Sequence, residues 1–136
     1  MPYLKIHVFS EPDSVLADKI SKNITDLTAQ LLNKDPDVTV IDLEFVSLQG
    51  GWYIAGERQQ THQSKTFYLN IKITKGSNTP EEKNRFIHEI YYTMSKLLGP
   101  INQASYVLID EIDGNSWGYG GITQKSRIDN SNIKKL

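Results

Sequence analysis

Tyr68-Leu69-Asn70-Ile71-Lys72-Ile73-Thr74, running into Lys75-Gly76-Ser77-Asn78-Thr79-Pro80-Glu81-Glu82, decides the fold. Leu69, Ile71 and Ile73 alternate with polar residues, the period of a half-buried strand. Thr79-Pro80-Glu81-Glu82 then supplies an N-cap threonine, a proline for the first helical position and a glutamate to close a capping box. The helix predicted from there buries Ile87, Ile90, Met94 and Leu97, and Gly99-Pro100 stops it. Tyr106 to Ile112 reads as the next strand, ahead of the glycine-rich stretch Trp117-Gly118-Tyr119-Gly120-Gly121.

The same pattern occurs earlier in the chain. Leu4, Ile6 and Val8 stand 65 positions before Leu69, Ile71 and Ile73, with Lys5 and His7 on the opposite face. Leu16, Ile20, Ile24, Leu27 and Leu31 recur at helical spacing, with Ser10 as the expected N-cap and Pro12 in the first turn. Asn33-Lys34-Asp35-Pro36 ends that helix, since the residue before a proline avoids helical geometry. A strand is expected over Val38 to Val46, although its alternation slips at Val40-Ile41. Gly50-Gly51 turns the chain before Trp52-Tyr53-Ile54-Ala55-Gly56, which stands 65 positions before Trp117 to Gly121. Between these anchors the offset is 67, from Leu31 to Leu98 and from Glu44 to Glu111, so small insertions separate the copies.

Strands joined through a helix imply parallel pairing by a right-handed crossover. Two such units predict one α+β domain over 1–136: a duplicated β-α-β unit whose four-stranded sheet carries two helices on one face. Repeat one covers about 2–58, a polar linker 59–65, repeat two about 66–125 and a C-terminal tail 126–136. The other sheet face is expected to show Tyr3, Lys5, His7, Ile41, Phe67, Asn70 and Lys72, a semi-apolar mixture that suits contact with another subunit.

Composition removes several function classes. The formal net charge of −1 offers no electrostatic basis for nucleic acid or an anionic membrane surface, and Lys134 and Lys135 make only a solvated tail. With no cysteine there is no disulfide, thiolate catalyst or thiolate metal site. His7, His62 and His88 are not at ligand spacing, so no metal site is expected. No apolar run approaches the roughly 20 residues of a membrane span, and no signal peptide opens the chain, so a cytoplasmic location is expected.

Pro2 is the most informative single position. It either begins a strand, where its missing donor is harmless, or does chemistry once the initiator methionine is removed. A free N-terminal proline is a secondary amine that titrates in an accessible range, and burial or nearby cations lower its pKa. Such a base suits proton transfer at carbon.

Met1-Pro2-Tyr3-Leu4-Lys5-Ile6-His7-Val8 resembles the opening strand of the tautomerase superfamily, typified by 4-oxalocrotonate tautomerase. Ile71-Lys72-Ile73-Thr74-Lys75-Gly76 resembles a second copy of that unit, and Trp117-Gly118-Tyr119-Gly120-Gly121 the family's glycine-rich hairpin, with Trp52 to Gly56 a weaker version. The likeness spans about residues 2–125, and the length is similar to fused members such as cis-3-chloroacrylic acid dehalogenase and malonate semialdehyde decarboxylase. It implies a tautomerase or MIF-like fold, a homotrimer, Pro2 as general base, no cofactor, and a small carboxylate or enol substrate.

Several positions depart from the family's pattern. Its loop arginines fall on Thr74 and Ser77, with Lys75 between them, and its strand arginine falls on Ile41 or Tyr106. The dehalogenase's helix histidine and water-activating glutamate fall near Thr28 and on Ser116. Phe67 replaces the second-copy proline, so one active site per chain is expected. Lys75 could supply a point charge in place of the guanidinium, or be a solvated loop lysine. Arg58 and Arg127 are the other cations beside the hairpins, and Trp117 and Tyr119 could wall an apolar pocket or pack at a subunit interface. The resulting expectation is a cofactor-free keto–enol tautomerase of a small 2-oxo acid or its enol. The alternatives are a hydrolytic dehalogenase or decarboxylase of the same superfamily, and a non-catalytic trimeric binding protein of this fold.

Overall fold

β1 (Tyr3–Phe9) and β5 (Thr66–Thr74) pair antiparallel at the centre of the sheet, with Leu4 opposite Ile71 and Ile6 opposite Leu69. This computed structural model describes residues 2–47, 51–60 and 62–135, with backbone alone for 132–135. The readings at Met1, Gly50 and the Lys134 and Lys135 side chains lie outside the described residues. β2 (Val40–Val46) runs parallel to β1 and β6 (Tyr106–Ile112) parallel to β5, giving the order β2-β1-β5-β6. Each parallel pair is bridged by a helix, α1 (Ser14–Leu32) or α2 (Pro80–Leu98). The duplicated α+β architecture is therefore the one expected.

Both helices pack on one face, over Leu4, Ile6 and Val8 of β1 and Phe67, Leu69, Ile71 and Ile73 of β5, all fully buried. Each such side chain contributes about 1.5–3 kcal/mol by leaving water. The helices bury strict four-residue stripes: Ile20, Ile24, Thr28 and Leu32 in α1, and Phe86, Ile90, Met94 and Leu98 in α2. The expected faces were off by one residue at several places. Phe86 rather than Ile87 points inward, Leu98 lies deeper than Leu97, and Leu16, Leu27 and Leu31 only flank the core.

The helix ends are fixed by local hydrogen bonds. Thr79 and Glu82 form the reciprocal capping box, with Pro80 at the first position. At α1, Asp13 and not Ser10 is the cap: its carboxylate accepts from Val15 N and Leu16 N, which leaves Pro12 outside the helix. Asn33 closes α1 in the left-handed conformation, at φ 56°. The following strand starts at Val40, later than expected, because Pro36–Val38 form a 3-10 turn capped by Asp35.

The open face carries Tyr3, Lys5, His7, Tyr68, Asn70, Lys72, Tyr106 and Leu108, as their register requires. Phe67 and Ile41 do not belong to it, since both pack on the helix side. Tyr106 and Leu108 remain 67% and 47% exposed. Polar pairs cross this face: Tyr3 Oη donates to Asp42 at 2.6 Å, His7 Nε2 lies 3.1 Å from Glu44, and Lys72 pairs with Asp110 at 3.2 Å.

Two hairpins follow the sheet, β3 (Tyr53–Ile54) with β4 (Glu57–Arg58), and β7 (Gly118–Tyr119) with β8 (Ile122–Thr123). The segment expected as a tail is instead a third helix, α3 (Gln124–Lys135). Both hairpin turns have two residues at positive φ, Ala55 and Gly56 at 55° and 78°, Gly120 and Gly121 at 61° and 78°. That is the two-residue turn whose twist matches the strands, and it penalises Ala55 for its Cβ. Ala55→Gly is expected to raise the unfolding free energy by about 0.5–1 kcal/mol, and Gly120→Ala to lower it by about as much or more. Urea unfolding of the two variants beside the parent measures both.

Candidate functional site

The strand directions bring four chain segments to one end of the sheet. The start of β1 lies beside the start of β2, where Val40 N donates to the Pro2 carbonyl at 3.3 Å. Tyr3 pairs with Lys72, so Pro2 lies alongside the end of β5, and Thr74 pairs with Ile112 at the end of β6. Pro2 is buried at this end.

The loop leaving β5 starts at this end. Lys75 N donates to Ile112 O at 2.8 Å, while the Lys75 side chain is exposed to solvent. Ser77 Oγ donates to Thr74 O at 2.6 Å and receives Lys34 Nζ at 3.0 Å, a cross-repeat contact that sequence spacing did not signal. Burial lowers the Lys34 pKa, with the charge of Glu82 acting the other way. Lys83 pairs with Glu111, and its hydrogen bond holds that carboxyl below the usual range; the more distant charge of Lys75 adds to the effect.

Trp117 joins the same end, its Nε1 donating to Thr74 Oγ1 at 3.2 Å. Tyr119 lies two residues further along the hairpin, under the guanidinium of Arg127, whose centre is 3.8 Å from the ring. Arg127 also donates to Tyr119 O at 2.9 Å, so this cation fastens the hairpin to α3. Gly118 has no room for a Cβ, which would collide with the backbone of Ile122. A shallow cavity of about 300 Å³ runs along this hairpin, lined by Ser116, Trp117, Gly118 and Ile122 among others.

Of the residues singled out in the sequence, Pro2, Lys75, Trp117 and Tyr119 thus share the Pro2 end or the hairpin that leaves it. Arg58 does not. It follows β2's far end and stacks over Tyr53 at 4.9 Å. Thr28 is fully buried with its hydroxyl bonded to Ile24 O, and Ser116 is an exposed loop residue. Among the described residues no cluster of three His, Asp or Glu side chains could hold a metal, and no helix is long and apolar enough to cross a membrane.

The opposite end is its pseudo-symmetric counterpart. Phe67 stands at the position of Pro2, and Trp52 packs on Phe9 at 5.8 Å where Trp117 bonds Thr74. A cavity of about 770 Å³ also opens at that end, between the β1–α1 loop and the last turn of α2. It is lined by charged side chains such as Glu11, Asp13, Lys19 and Lys96 and is remote from Pro2.

Comparison with known proteins agrees with this geometry. The family described as "Tautomerase enzyme" matches residues 68–125, the second repeat. A probable tautomerase of Dickeya dadantii is 35% identical over 54 residues, 40% of this chain and 81% of that protein. A fused 4-OT asymmetric trimer superposes with a TM-score of 0.80 at 16% identity, over 92% of this chain and 98% of that one. A member of the cis-3-chloroacrylic acid dehalogenase family superposes at 0.78 and 14% identity, over 98% and 92%. Sequence match, repeat structure and sheet topology agree, and the chain belongs to the tautomerase superfamily.

Proposed function

We propose that the protein is a cofactor-free keto–enol tautomerase of a small 2-oxo acid or its enol, with the Pro2 amine as general base. The observation that carries this reading is the burial of Pro2 at the sheet end where the Lys75 loop and Trp117 converge. With Met1 removed, the proline nitrogen takes a proton from one atom of the substrate and returns it to another. Burial favours the neutral amine that such a base requires. Lys75 stands at the start of the loop as a point charge for an anionic substrate. The likeness to probable tautomerases supports the isomerase class over the others.

The dehalogenase reading has a structural neighbour in its favour, but the two positions that match its water-activating pair carry neither a histidine nor a carboxylate. Thr28 spends its hydroxyl inside the core and Ser116 offers no carboxylate. No chloride release from 3-chloroacrylates above a heat-killed control is expected.

Assembly is proposed to be a homotrimer through the open sheet face, where Tyr106 and Leu108 stay exposed without a covering element. The trimeric structural neighbours support this arrangement. Light scattering should give about three times the chain mass of 15.5 kDa; a monomer at micromolar concentration would contradict it.

The base is tested by comparing untagged protein with protein that keeps Met1 or an N-terminal tag, using the enol of phenylpyruvate. An amide nitrogen has no basicity, so the blocked forms should lose about a hundredfold or more in kcat with assembly unchanged. In the free form the rate should rise with pH through the amine's pKa and plateau above it, because only the neutral amine accepts a proton. Equal activity of blocked and free forms would remove Pro2 from the mechanism.

A further inference from the structure

Thr74 is a buried polar residue that the packing of the sheet does not demand. It ends β5 at 8% exposure, whereas its counterpart at the opposite end of the molecule, Phe9 at the end of β1, is apolar and fully buried. Each of the two supports the tryptophan that stands just before a hairpin, Phe9 under Trp52 and Thr74 under Trp117. A phenylalanine therefore meets the structural need of this position by ring packing alone. At Thr74 the contact is instead one directed hydrogen bond, from Trp117 Nε1 to the hydroxyl at 3.2 Å. A packed indole can slide and turn in its own plane, and one tied through its single donor loses that freedom.

Further contacts converge on the same residue. A Cβ on Gly114 would stand 3.3 Å from Thr74 Cγ2, so the loop before the hairpin lies against the threonine methyl. A β-branched side chain is stiff about its first torsion, and the methyl held there keeps the hydroxyl aimed at the indole. The Thr74 carbonyl accepts Ser77 Oγ at 2.6 Å and Ser77 N at 3.2 Å, which turns the loop that carries Lys75. Thr74 thus holds that loop by its main chain and the indole by its side chain. Continuing the β1–β5 register places Pro2 opposite Ile73, one residue before this junction.

We infer that Thr74 is a positioning residue of the Pro2 site: its hydroxyl holds the Trp117 indole as an apolar wall and so sets how strongly the site favours a substrate with a large apolar substituent. This rests on the tautomerase reading for the identity of the substrate, a 2-oxo acid, and Thr74 acts on it only through Trp117.

The test compares two 2-oxo acids that differ by a phenyl group, 2-oxobutyrate and 2-oxo-4-phenylbutyrate. Exchange of their C3 protons for deuterium, followed by NMR, reads proton transfer in untagged wild type, Thr74→Val, Thr74→Ser and Trp117→Phe. Thr74→Val removes the hydroxyl and keeps the branched shape. It should raise KM for the phenyl substrate about three- to ten-fold, the range of one lost hydrogen bond, and narrow the KM ratio of the two substrates accordingly. The change should fall on KM more than on kcat. Thr74→Ser keeps the hydroxyl and should recover most of the ratio. Trp117→Phe should narrow the ratio as well, and adding Thr74→Val to it should narrow it no further. A Thr74→Val effect that is equal on both substrates, or that adds to the effect of Trp117→Phe, would overturn the inference.

A second measurement needs neither turnover nor a variant that folds. In the wild type the Trp117 indole N–H should exchange with solvent more slowly than a free indole, and exchange at the free rate overturns the anchor. Titrated 4-phenylbutyrate, which has no keto group to react, should shift that indole signal, and absence of the shift at high millimolar concentration overturns the wall. The shift in a wild type without turnover would retire the tautomerase reading and keep the Thr74–Trp117 wall. Turnover whose substrate preference is indifferent to Thr74 would do the reverse.

Discussion

The antiparallel seam between β1 and β5 is the constraint from which the rest of the molecule follows. Both strands have a neighbour on each side, and their helix-facing side chains are excluded from water along nearly their whole length. Because the seam is antiparallel while each repeat is internally parallel, the start of one repeat's first strand meets the end of the other's. Beside Val40 of its own repeat, Pro2 therefore acquires neighbours from repeat two, at the end of β5 and the loop that follows it. Slipping the register by one residue would turn Leu4, Ile6 and Val8 outward and dismantle core and site together.

What the sequence conveyed well was whatever repeats or alternates without competition. The capping box at Thr79, the alternation of Leu69, Ile71 and Ile73, and the paired glycine-rich turns each have one reading. The errors over which side chains face inward have a common cause in adjacent apolar pairs. Phe86-Ile87, Leu97-Leu98, Leu31-Leu32, Val40-Ile41 and Phe67-Tyr68 each offer two candidates for one inward position, and periodicity cannot choose between them. Packing chose: the deeper member is the one aimed at the seam between the two helices and the sheet. α3 was illegible for a different reason. It has no apolar stripe to read, and polar anchors tie it to the second hairpin and to the loop before it, Arg127 on Tyr119 and Lys125 N on Gly114 O.

The candidate site was legible at single positions and illegible in its connections. Pro2, Lys75 and Trp117 stand out in the chain because each departs from what a plain strand, loop or turn needs. Lys34 does not, for its contact with Ser77, distant in sequence, forms only when the repeats dock. The duplication also shows how little change separates a polar contact from an apolar one at equivalent positions. Thr74 with Trp117 occupies the positions of Phe9 with Trp52, and one backbone framework serves both.

Carrying both repeats on one chain has a kinetic consequence. Each strand–helix–strand unit is a stretch of modest sequence separation, whereas the seam joins Leu4 to Ile71 and cannot form until a long intervening loop has closed. Covalent linkage makes that meeting a first-order event whose rate does not depend on protein concentration, unlike the encounter of two separate chains. The central pairing would then be among the later steps of folding, preceded by collapse within each repeat, and the apolar inner faces of β1 and β5 would stay exposed until it completes.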